Sequence, residues 1–273
     1  MAQGIPSASK AAATSEVATA RTNRLRIAAP DFSTGVCFAP LLLLRWAGLG
    51  DTMFLEIKDF LNPGEVARLQ ELSLKVQFVD GRISNPHNQA KNNLQANESD
   101  PHYAESSRIV AAAYARSAPF REFAFPRHVA PPLLARYEVG MTYGAHADVS
   151  HMRFGNEVHR SDLSATVWLN PPGSYDGGEL VVHLGTQPLV IKGEAGSAII
   201  YPSTQLHEVT PVRRGQRLVS ITFIESMIPD EFQRTQLYEL SEVAALEGLK
   251  MNWNNRVRLE AVRNNLLRLW TRS

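Results

Sequence analysis

Two separated stretches of the chain determine its expected fold and chemistry. The first ends in Gly144-Ala145-His146-Ala147-Asp148, and the second begins with Leu206-His207-Glu208-Val209-Thr210-Pro211. Two imidazoles and one carboxylate form the 2-His-1-carboxylate set that holds Fe(II) and leaves coordination positions open. Because His146 and Asp148 are two residues apart, an extended backbone directs both side chains to the same side. We therefore predict one metal site made by His146, Asp148 and His207, with the third ligand supplied by a distant strand.

The overall composition is that of an ordinary globular protein that does not depend on disulfides. Of the 273 residues, 44% are hydrophobic and 20% are charged, which are typical fractions. The single cysteine, Cys37, excludes a disulfide framework and leaves His and carboxylate side chains as metal ligands. A net charge of +1 gives no reason to expect nucleic acid as the main partner. The apolar run near the start is too short and too interrupted to cross a bilayer, so we expect no membrane partner.

Residues 1–52 are predicted to be a disordered or dispensable extension. They are rich in Ala, Ser and Thr and carry several Arg but few acids, a composition found in disordered segments and in organellar transit peptides. Met53 begins a segment that reads like a natural domain start. We expect a cytoplasmic protein, and organellar targeting by the extension stays an open alternative.

Residues 53–228 are predicted to form a β-rich domain with flanking helices. Asn62-Pro63-Gly64-Glu65 predicts the start of a helix, because an N-cap Asn, a Pro at the first position and a Glu three residues after the cap form a capping pattern. A second helix is expected over residues 103–116, and the polar residues 80–95 between them read as a long loop or short strands. Eight strands follow, and the turns Asp176-Gly177-Gly178, Gly185-Thr186, Gly193-Glu194-Ala195-Gly196 and Arg214-Gly215 separate several of them. The predicted strands are residues 133–138, 142–147, 163–169, 179–184, 187–192, 197–201, 206–211 and 217–225.

Eight short strands at this spacing favour a double-stranded β-helix, or jelly roll, made of two packed sheets. After Pro229 the apolar period becomes helical again, and two amphipathic helices are predicted within residues 229–273. This segment is either a C-terminal helical appendage or the contact of a homodimer, and the pattern does not decide between them.

Arg217 lies ten residues after His207 and is the predicted anchor of a co-substrate. An iron oxygenase of this kind needs a co-substrate that supplies two electrons. The keto-acid end of 2-oxoglutarate can chelate the metal, while its far carboxylate needs a cation such as a guanidinium, which offers two parallel hydrogen bonds. Arg213 and Arg214 precede Gly215 in an expected exposed turn and are weaker candidates.

The residues around this site resemble those of the PKHD-type hydroxylases, which are bacterial Fe(II)- and 2-oxoglutarate-dependent dioxygenases related to the prolyl 4-hydroxylases. The resemblance runs from Met53 to the end and covers most of the chain. It rests on the motifs Gln89-Ala90-Lys91-Asn92-Asn93-Leu94-Gln95, Arg136-Tyr137, Gly144-Ala145-His146-Ala147-Asp148, Asp162-Leu163-Ser164-Ala165-Thr166, Tyr175-Asp176-Gly177-Gly178-Glu179-Leu180, Tyr201-Pro202-Ser203, Leu206-His207, Val209-Thr210-Pro211-Val212, Arg214-Gly215 and Arg217.

This resemblance implies roles for five residues. Residues 53–228 would be an Fe(II)/2-oxoglutarate dioxygenase domain in which His146, Asp148 and His207 are the iron ligands. Arg217 would bind the far carboxylate of 2-oxoglutarate, and Tyr137 would hydrogen-bond the same carboxylate. For Tyr137 the alternative is a packing role in the barrel core, since a buried Tyr commonly needs a hydrogen-bond partner.

The substrate side is less well determined by the sequence. Lys91, Asn92 and Asn93 are candidates for lining it, and solvated loop polarity is the alternative. Val149 stands where relatives often have Asn, and the loop of residues 150–161 looks shorter than usual, so both could alter the substrate mouth. His151 and His159 are expected to be exposed loop histidines without a specific role.

The predicted reaction is hydroxylation of an unactivated carbon, with O2 and 2-oxoglutarate consumed and succinate and CO2 formed. The substrate would be a small molecule or a peptide, and L-ascorbate is a candidate reductant. Two alternatives stay open. One is a nucleic-acid-directed oxidative demethylase on the same fold, and the other is a non-catalytic metal- or ligand-binding jelly roll.

Overall fold

A computed structural model describes Met1 and residues 53–85, 88–154 and 157–272 of the chain. This part consists of short strands and a few helices. The strands are β1 (Leu55–Ile57), β2 (Phe78–Asp80), β3 (Lys91–Asn92), β4 (Leu94–Ala96), β5 (Pro126–Val129), β6 (Leu133–Tyr137), β7 (Thr142–His146), β8 (His151–Phe154), β9 (Glu157–Arg160), β10 (Leu163–Trp168), β11 (Leu180–Leu184), β12 (Gln187–Ile191), β13 (Ala198–Pro202), β14 (His207–Val209) and β15 (Arg217–Ser226). The helices are α1 (Pro63–Lys75), α2 (Pro101–Arg116), α3 (Ala118–Ala124), α4 (Glu231–Glu247) and α5 (Trp253–Trp270).

The strands form two main antiparallel sheets. The larger sheet has eight strands in the order β1-β13-β10-β15-β6-β4-β2, with β5 beside β15, and the smaller sheet has the order β12-β11-β14-β7-β3. Strands β8 and β9 form a separate hairpin. All eight strands predicted from the sequence are present within two residues of their predicted ends. The expected fold class, a mainly β jelly roll with flanking helices and a C-terminal helical segment, is confirmed.

The central strands of the larger sheet are buried on both faces. Every residue of β10 and β13 is buried, and β13 accordingly has an almost continuous apolar sequence, whereas β10 also buries Ser164 and Thr166. Along β13, Ala198 and Ile200 pack into a core shared with α1, α2 and α3, whereas Ile199 and Tyr201 pack into the core between the two sheets. Successive strand residues point to opposite faces. The molecule therefore has a helical layer, the larger sheet and the smaller sheet, and the residues of the candidate site lie between the sheets.

The first helix begins as the sequence predicts. The Asn62 side chain accepts a hydrogen bond from the backbone N–H of Glu65 (2.9 Å), and the backbone N–H of Asn62 donates to the Glu65 carboxylate (3.0 Å). Val66, Leu69 and Leu72 form its buried stripe. Helix α2 begins two residues before the predicted start, because Asp100 caps it by accepting a hydrogen bond from His102 N–H (2.8 Å).

Two elements were not expected from the sequence. Helix α3 is only seven residues long, too short to show an apolar period, and is marked by Ser117 at its cap and a Pro in its first turn. Residues 150–161 do not form a simple loop, because β8 and β9 pair within them. In the sequence, the two four-residue runs of β8 and β9 are joined by Gly-Asn, which is a hairpin pattern. This hairpin was not predicted. In the polar segment of residues 80–95, the expected short strands are β3 and β4.

The C-terminal segment forms two helices that pack on the domain. Leu266, Leu267 and Trp270 of α5 contact a small core made by Phe125, Ile228 and Leu237. Several apolar side chains stay exposed, namely Phe232, Val243, Leu246, Leu249, Trp253, Val257, Val262 and Leu269. A homodimer contact through these helices stays a prediction, as does a domain boundary between residues 228 and 229.

The expected extension of residues 1–52 lies outside the described residues apart from Met1. No helix of the described part is both long and apolar enough to cross a membrane.

The capping box of α1 gives a test of the fold. We predict that Asn62→Ala lowers the free energy of unfolding by about 0.5–2 kcal/mol, because the N–H of Glu65 loses its acceptor. Denaturant unfolding measures this change. Asn254→Ala is the matched control, because Asn254 is exposed in the first turn of α5 and its side chain makes no hydrogen bond with the described residues. Equal destabilisation by the two substitutions would contradict the capping role.

Candidate metal centre

Two paired strands of the smaller sheet bring the histidines together. His146 ends β7, His207 begins β14, and the two residues are direct partners in the antiparallel ladder. Asp148 follows β7, and its backbone N–H donates to the Ser203 carbonyl (3.3 Å). Asp148 Oδ1 lies 3.8 Å from His146 Nε2, and Asp148 Oδ2 lies 3.6 Å from His207 Nε2. The three residues each offer one ligand atom, and these atoms lie within 4.8 Å of one another.

Backbone carbonyls orient both imidazole rings. His146 Nδ1 lies 2.8 Å from the Gly144 carbonyl, and His207 Nδ1 lies 2.9 Å from the Gln205 carbonyl. Because a carbonyl oxygen only accepts, each Nδ1 carries the hydrogen and each Nε2 keeps a lone pair. Metal-binding histidines are commonly fixed in this way. The donor set therefore fits a divalent cation bound by two Nε2 atoms and a carboxylate.

A chain of serine hydroxyls supports the carboxylate. Ser164 Oγ on β10 donates a hydrogen bond to Asp148 Oδ2 (2.5 Å) and lies 2.7 Å from Ser203 Oγ. Ser203 Oγ in turn lies 2.9 Å from Ser161 Oγ. All three serines are buried. These contacts fix the rotation of the carboxylate and leave Oδ1 outside the serine chain. The roles of these serines were not predicted from the sequence.

Burial keeps His146 in the form that binds a metal. Burial lowers the pKa of His146 to about 4, and the neighbouring His207 contributes in the same direction. The two imidazole centroids are 4.3 Å apart, so a proton on one ring would be unfavourable beside the other. At neutral pH the His146 imidazole is therefore uncharged and available as a ligand.

Arg217 is a buried cation in the same cavity. It begins β15 opposite Tyr137 of β6, its exposed fraction is 2%, and its Nε has no hydrogen-bond partner among the described residues. No carboxylate of the described part of the chain forms an ion pair with it. A buried guanidinium without a counter-ion is costly. Its environment therefore fits the binding of an anionic ligand, and a carboxylate matches its two-pronged geometry.

Two further residues shape the surroundings of this guanidinium. Tyr137 packs in the core between the sheets, with Arg217 Cζ 4.9 Å from its ring centroid. Burial raises the pKa of Tyr137, whereas Arg217 and the Asn93 side chain act on it in the opposite direction. Gly178 has φ +66°, and a Cβ there would lie 3.0 Å from Arg217 Cδ. A side chain at residue 178 would thus press on Arg217, a role for this glycine that the sequence pattern, read as a turn, did not reveal.

One cavity, with a volume of about 190 Å³, is lined by the three candidate ligands, Arg217, Tyr137 and Lys91. The two other residues predicted for the substrate side lie elsewhere. Asn92 is exposed and Asn93 is buried, and neither lines the cavity. Neighbouring residues on a short strand point in opposite directions, so Lys91 and Asn92 cannot both face the same space. Val149 lines the mouth of the cavity.

The expectation of two exposed loop histidines is correct only for His151, which is exposed. His159 stacks on His128 with ring centroids 3.8 Å apart, and its Nδ1 lies 3.2 Å from a Glu225 carboxylate oxygen. The expectation for His159 is wrong because β9 folds against β15 rather than projecting into solvent.

The serine chain gives a test that does not depend on turnover. We predict that Ser164→Ala weakens binding of Mn(II), an air-stable substitute for Fe(II), by about 10–100-fold, because Asp148 loses the hydrogen bond that orients it. An electron paramagnetic resonance titration measures the free Mn(II). Ser220→Ala is the control, since Ser220 Oγ is buried and has no hydrogen-bond partner in the described part. An unchanged affinity in Ser164→Ala would show that the serine does not position the ligand.

The amino-acid sequence is similar to those of known proteins. The sequence model of the 2OG-Fe(II) oxygenase superfamily matches residues 132–225, which include all three candidate ligands and Arg217. A PKHD-type hydroxylase of Sphingopyxis alaskensis is 48% identical over 217 residues, covering 80% of this chain and 99% of that protein. A PKHD-type hydroxylase of Xanthomonas campestris pv. campestris is 40% identical over 227 residues, with coverages of 80% and 99%.

Among solved structures, a Pseudomonas putida prolyl-4-hydroxylase is similar at 18% identity and a TM-score of 0.46, covering 64% of this chain and 92% of that chain. The family assignment depends on the sequence relatives, whose whole length this chain spans almost completely. At that identity and coverage, the chain belongs to the PKHD-type hydroxylases, enzymes of the 2OG-Fe(II) oxygenase superfamily.

Proposed function

We propose that this protein hydroxylates an unactivated carbon of a small-molecule or peptidyl substrate. One O2 and one 2-oxoglutarate are consumed, one oxygen atom enters the C–H bond of the substrate, and the other enters succinate as CO2 is released. The observation that supports this proposal is a single cavity in which three ligand atoms lie within 4.8 Å of one another and which a buried guanidinium without a counter-ion also lines.

The protein side chains bind and orient the reactants. His146, Asp148 and His207 would hold Fe(II) and leave positions for the keto acid and O2. The bound iron supplies O2 activation and removal of a hydrogen atom from the substrate carbon. Arg217 binds the far carboxylate of 2-oxoglutarate, which fixes the keto-acid end beside the ligand atoms. Asp148 fills the position that a halide would need, and its presence favours hydroxylation over halogenation.

The apolar walls of the cavity exclude water from the reacting groups. Leu180 and Val209 of the smaller sheet and Ile221 of the larger sheet line the inner part. Exclusion of water strengthens the pairing between Arg217 and a carboxylate. No specific observation favours a nucleic-acid substrate. The use of L-ascorbate and a cytoplasmic location stay predictions.

Removal of a candidate ligand tests the metal site. We predict that His207→Ala reduces succinate formation from 2-oxoglutarate, measured with Fe(II) in air, to the level of metal-free protein. The reason is that two ligands cannot hold the ion in the orientation that the reaction needs. His183→Ala is the matched control, since His183 lies on the neighbouring strand β11, its Nε2 is 3.6 Å from the Glu208 carboxylate, and it does not line the cavity. Full succinate formation by His207→Ala would rule out this ligand set. If the unaltered protein forms no succinate, a binding-only role would be favoured.

Removal of the guanidinium tests the co-substrate site. Loss of a charge-assisted pair costs about 10–100-fold in affinity, so Arg217→Ala should raise the 2-oxoglutarate concentration for half-maximal succinate formation by that factor. Arg213→Ala is the control, because Arg213 is exposed and pairs with Asp176 (2.9 Å) in a turn. An unchanged 2-oxoglutarate requirement in Arg217→Ala would refute the role of this residue.

A further inference from the structure

Lys91 is a second buried cation in the cavity, on the sheet that does not carry Arg217. We propose that its ammonium group binds a carboxylate of the primary substrate, so that the substrate is an acid with an apolar body. This inference deepens the hydroxylase function proposed above and rests on it.

The Lys91 ammonium has no counter-ion among the residues that the structure describes. Its exposed fraction is 7%, and its Nζ donates a hydrogen bond to Ser84 Oγ (2.7 Å), which is a neutral group. Burial lowers the pKa of Lys91, while Asp148 and Asp80 act on it only through their charge and make no hydrogen bond with it. An ammonium in this position carries a desolvation cost that one hydroxyl does not offset.

Both nearby carboxylates are already engaged. Asp80 pairs with Arg82 through two hydrogen bonds to the guanidinium Nε (3.0 and 3.1 Å) and a third to Nη2. Asp148 accepts from Ser164 and faces the two histidines. Neither can turn toward Lys91 without leaving its present partners. The free donor capacity of the ammonium is therefore available to a ligand in the cavity.

The position of Lys91 places this cation close to the reacting centre. Strand β3 pairs with β7, and Lys91 lies opposite Tyr143 in that ladder. Lys91 Nζ is 5.3 Å from the Tyr143 ring centroid, and the Tyr143 ring stacks on His146 at 3.6 Å. Lys91, Tyr143 and His146 line the same cavity. A substrate acid held by Lys91 would therefore lie in the cavity that also contains a candidate metal ligand.

The co-substrate does not need this second cation. Of its two carboxylates, 2-oxoglutarate uses one together with the keto group to chelate the metal, and the other is assigned to Arg217. Arg217 begins β15 of the larger sheet, whereas Lys91 begins β3 at the edge of the smaller sheet. With both ends of the co-substrate bound, Lys91 is left for the substrate.

The remaining lining of the cavity gives the character of the rest of the substrate. Apolar side chains dominate its outer part, including Pro131, Leu133, Met152 and Phe223. Glu98 also lines the cavity and is exposed. Its negative charge disfavours a second anion at the mouth. The anionic end is thereby directed inward to Lys91, and the apolar body contacts the outer wall.

Charge-matched probes test this inference in the full-length protein. The protein is loaded with Mn(II) and N-oxalylglycine, an unreactive analogue of 2-oxoglutarate, so that Arg217 is occupied. Benzoate and benzamide are then titrated by calorimetry as a charged and neutral pair that represents a free small acid. N-acetylphenylalanine and its amide form a second pair, which represents the carboxylate end of a peptide. We expect the acid of at least one pair to bind about 10-fold or more tightly than its amide.

Substitutions then assign the preference to one residue. Lys91→Met should abolish the preference for the acid, Lys91→Arg should retain most of it, and both should bind N-oxalylglycine as the unaltered protein does. Lys192→Met is the control, since Lys192 is half-buried, lies like Lys91 over a tyrosine ring (4.1 Å from the Tyr175 centroid) and is outside the cavity lining. If Lys91→Met does not fold, Lys91→Gln replaces it and keeps a donor for Ser84.

Three results would overturn the inference. They are equal binding of acid and amide in both pairs, a preference that survives loss of the ammonium, and weaker binding of N-oxalylglycine in Lys91→Met, which would assign Lys91 to the co-substrate. Failure of the unaltered protein to bind Mn(II) and N-oxalylglycine would instead reject the hydroxylase function together with the inference. Normal binding of both without an acid preference would reject the role of Lys91 alone.

Discussion

The direct pairing of His146 with His207 across β7 and β14 is the constraint on which the remainder of the site depends. A ladder of backbone hydrogen bonds sets the separation of these two residues to that of neighbouring strands, independently of side-chain rotamers. The short distance from His146 to Asp148 along the chain then brings the carboxylate to the same point. A site of this kind needs little rearrangement to receive a cation, since both rings are already oriented by carbonyl groups.

The polar groups of the cavity divide into those that the protein satisfies and those that it does not. Asp148 has Ser164, and each histidine has a backbone carbonyl. Arg217 and Lys91 have no carboxylate partner among the described residues, although each is more than nine-tenths buried. Natural proteins rarely bury charges without compensation. In the function proposed here, these two cations receive the anionic groups that arrive with the co-substrate and the substrate, and this division separates the catalytic framework from the binding sites.

The elements with strong local signals could be predicted from the sequence. The strand ends followed from glycine-containing turns, the start of α1 from Asn62 and Glu65, and the candidate ligands from the spacing of His146 and Asp148. The eight predicted strands lie within two residues of their observed ends, and several of them are bounded by Gly or Pro, which have distinctive backbone conformations.

Features that depend on three-dimensional neighbours could not be predicted in this way. Lys91, Asn92 and Asn93 form one polar run, yet one lines the cavity, one is exposed and one is buried behind Tyr137. Only the pairing of β3 with β7 decides which is which. The contact of Ser164 with Asp148 joins β10 of the larger sheet to the segment that follows β7 of the smaller one, and no pattern along the chain reports it. The stacking of His159 on His128 likewise arises from the packing of the β8–β9 hairpin.

A crystal structure of the protein grown without oxygen, with Fe(II) and 2-oxoglutarate, would test the central claim most directly. The account predicts one iron bound by Nε2 of His146, Nε2 of His207 and a carboxylate oxygen of Asp148, with the far carboxylate of 2-oxoglutarate on Arg217. Iron bound through other side chains, or a 2-oxoglutarate carboxylate that lies away from the Arg217 guanidinium, would contradict it.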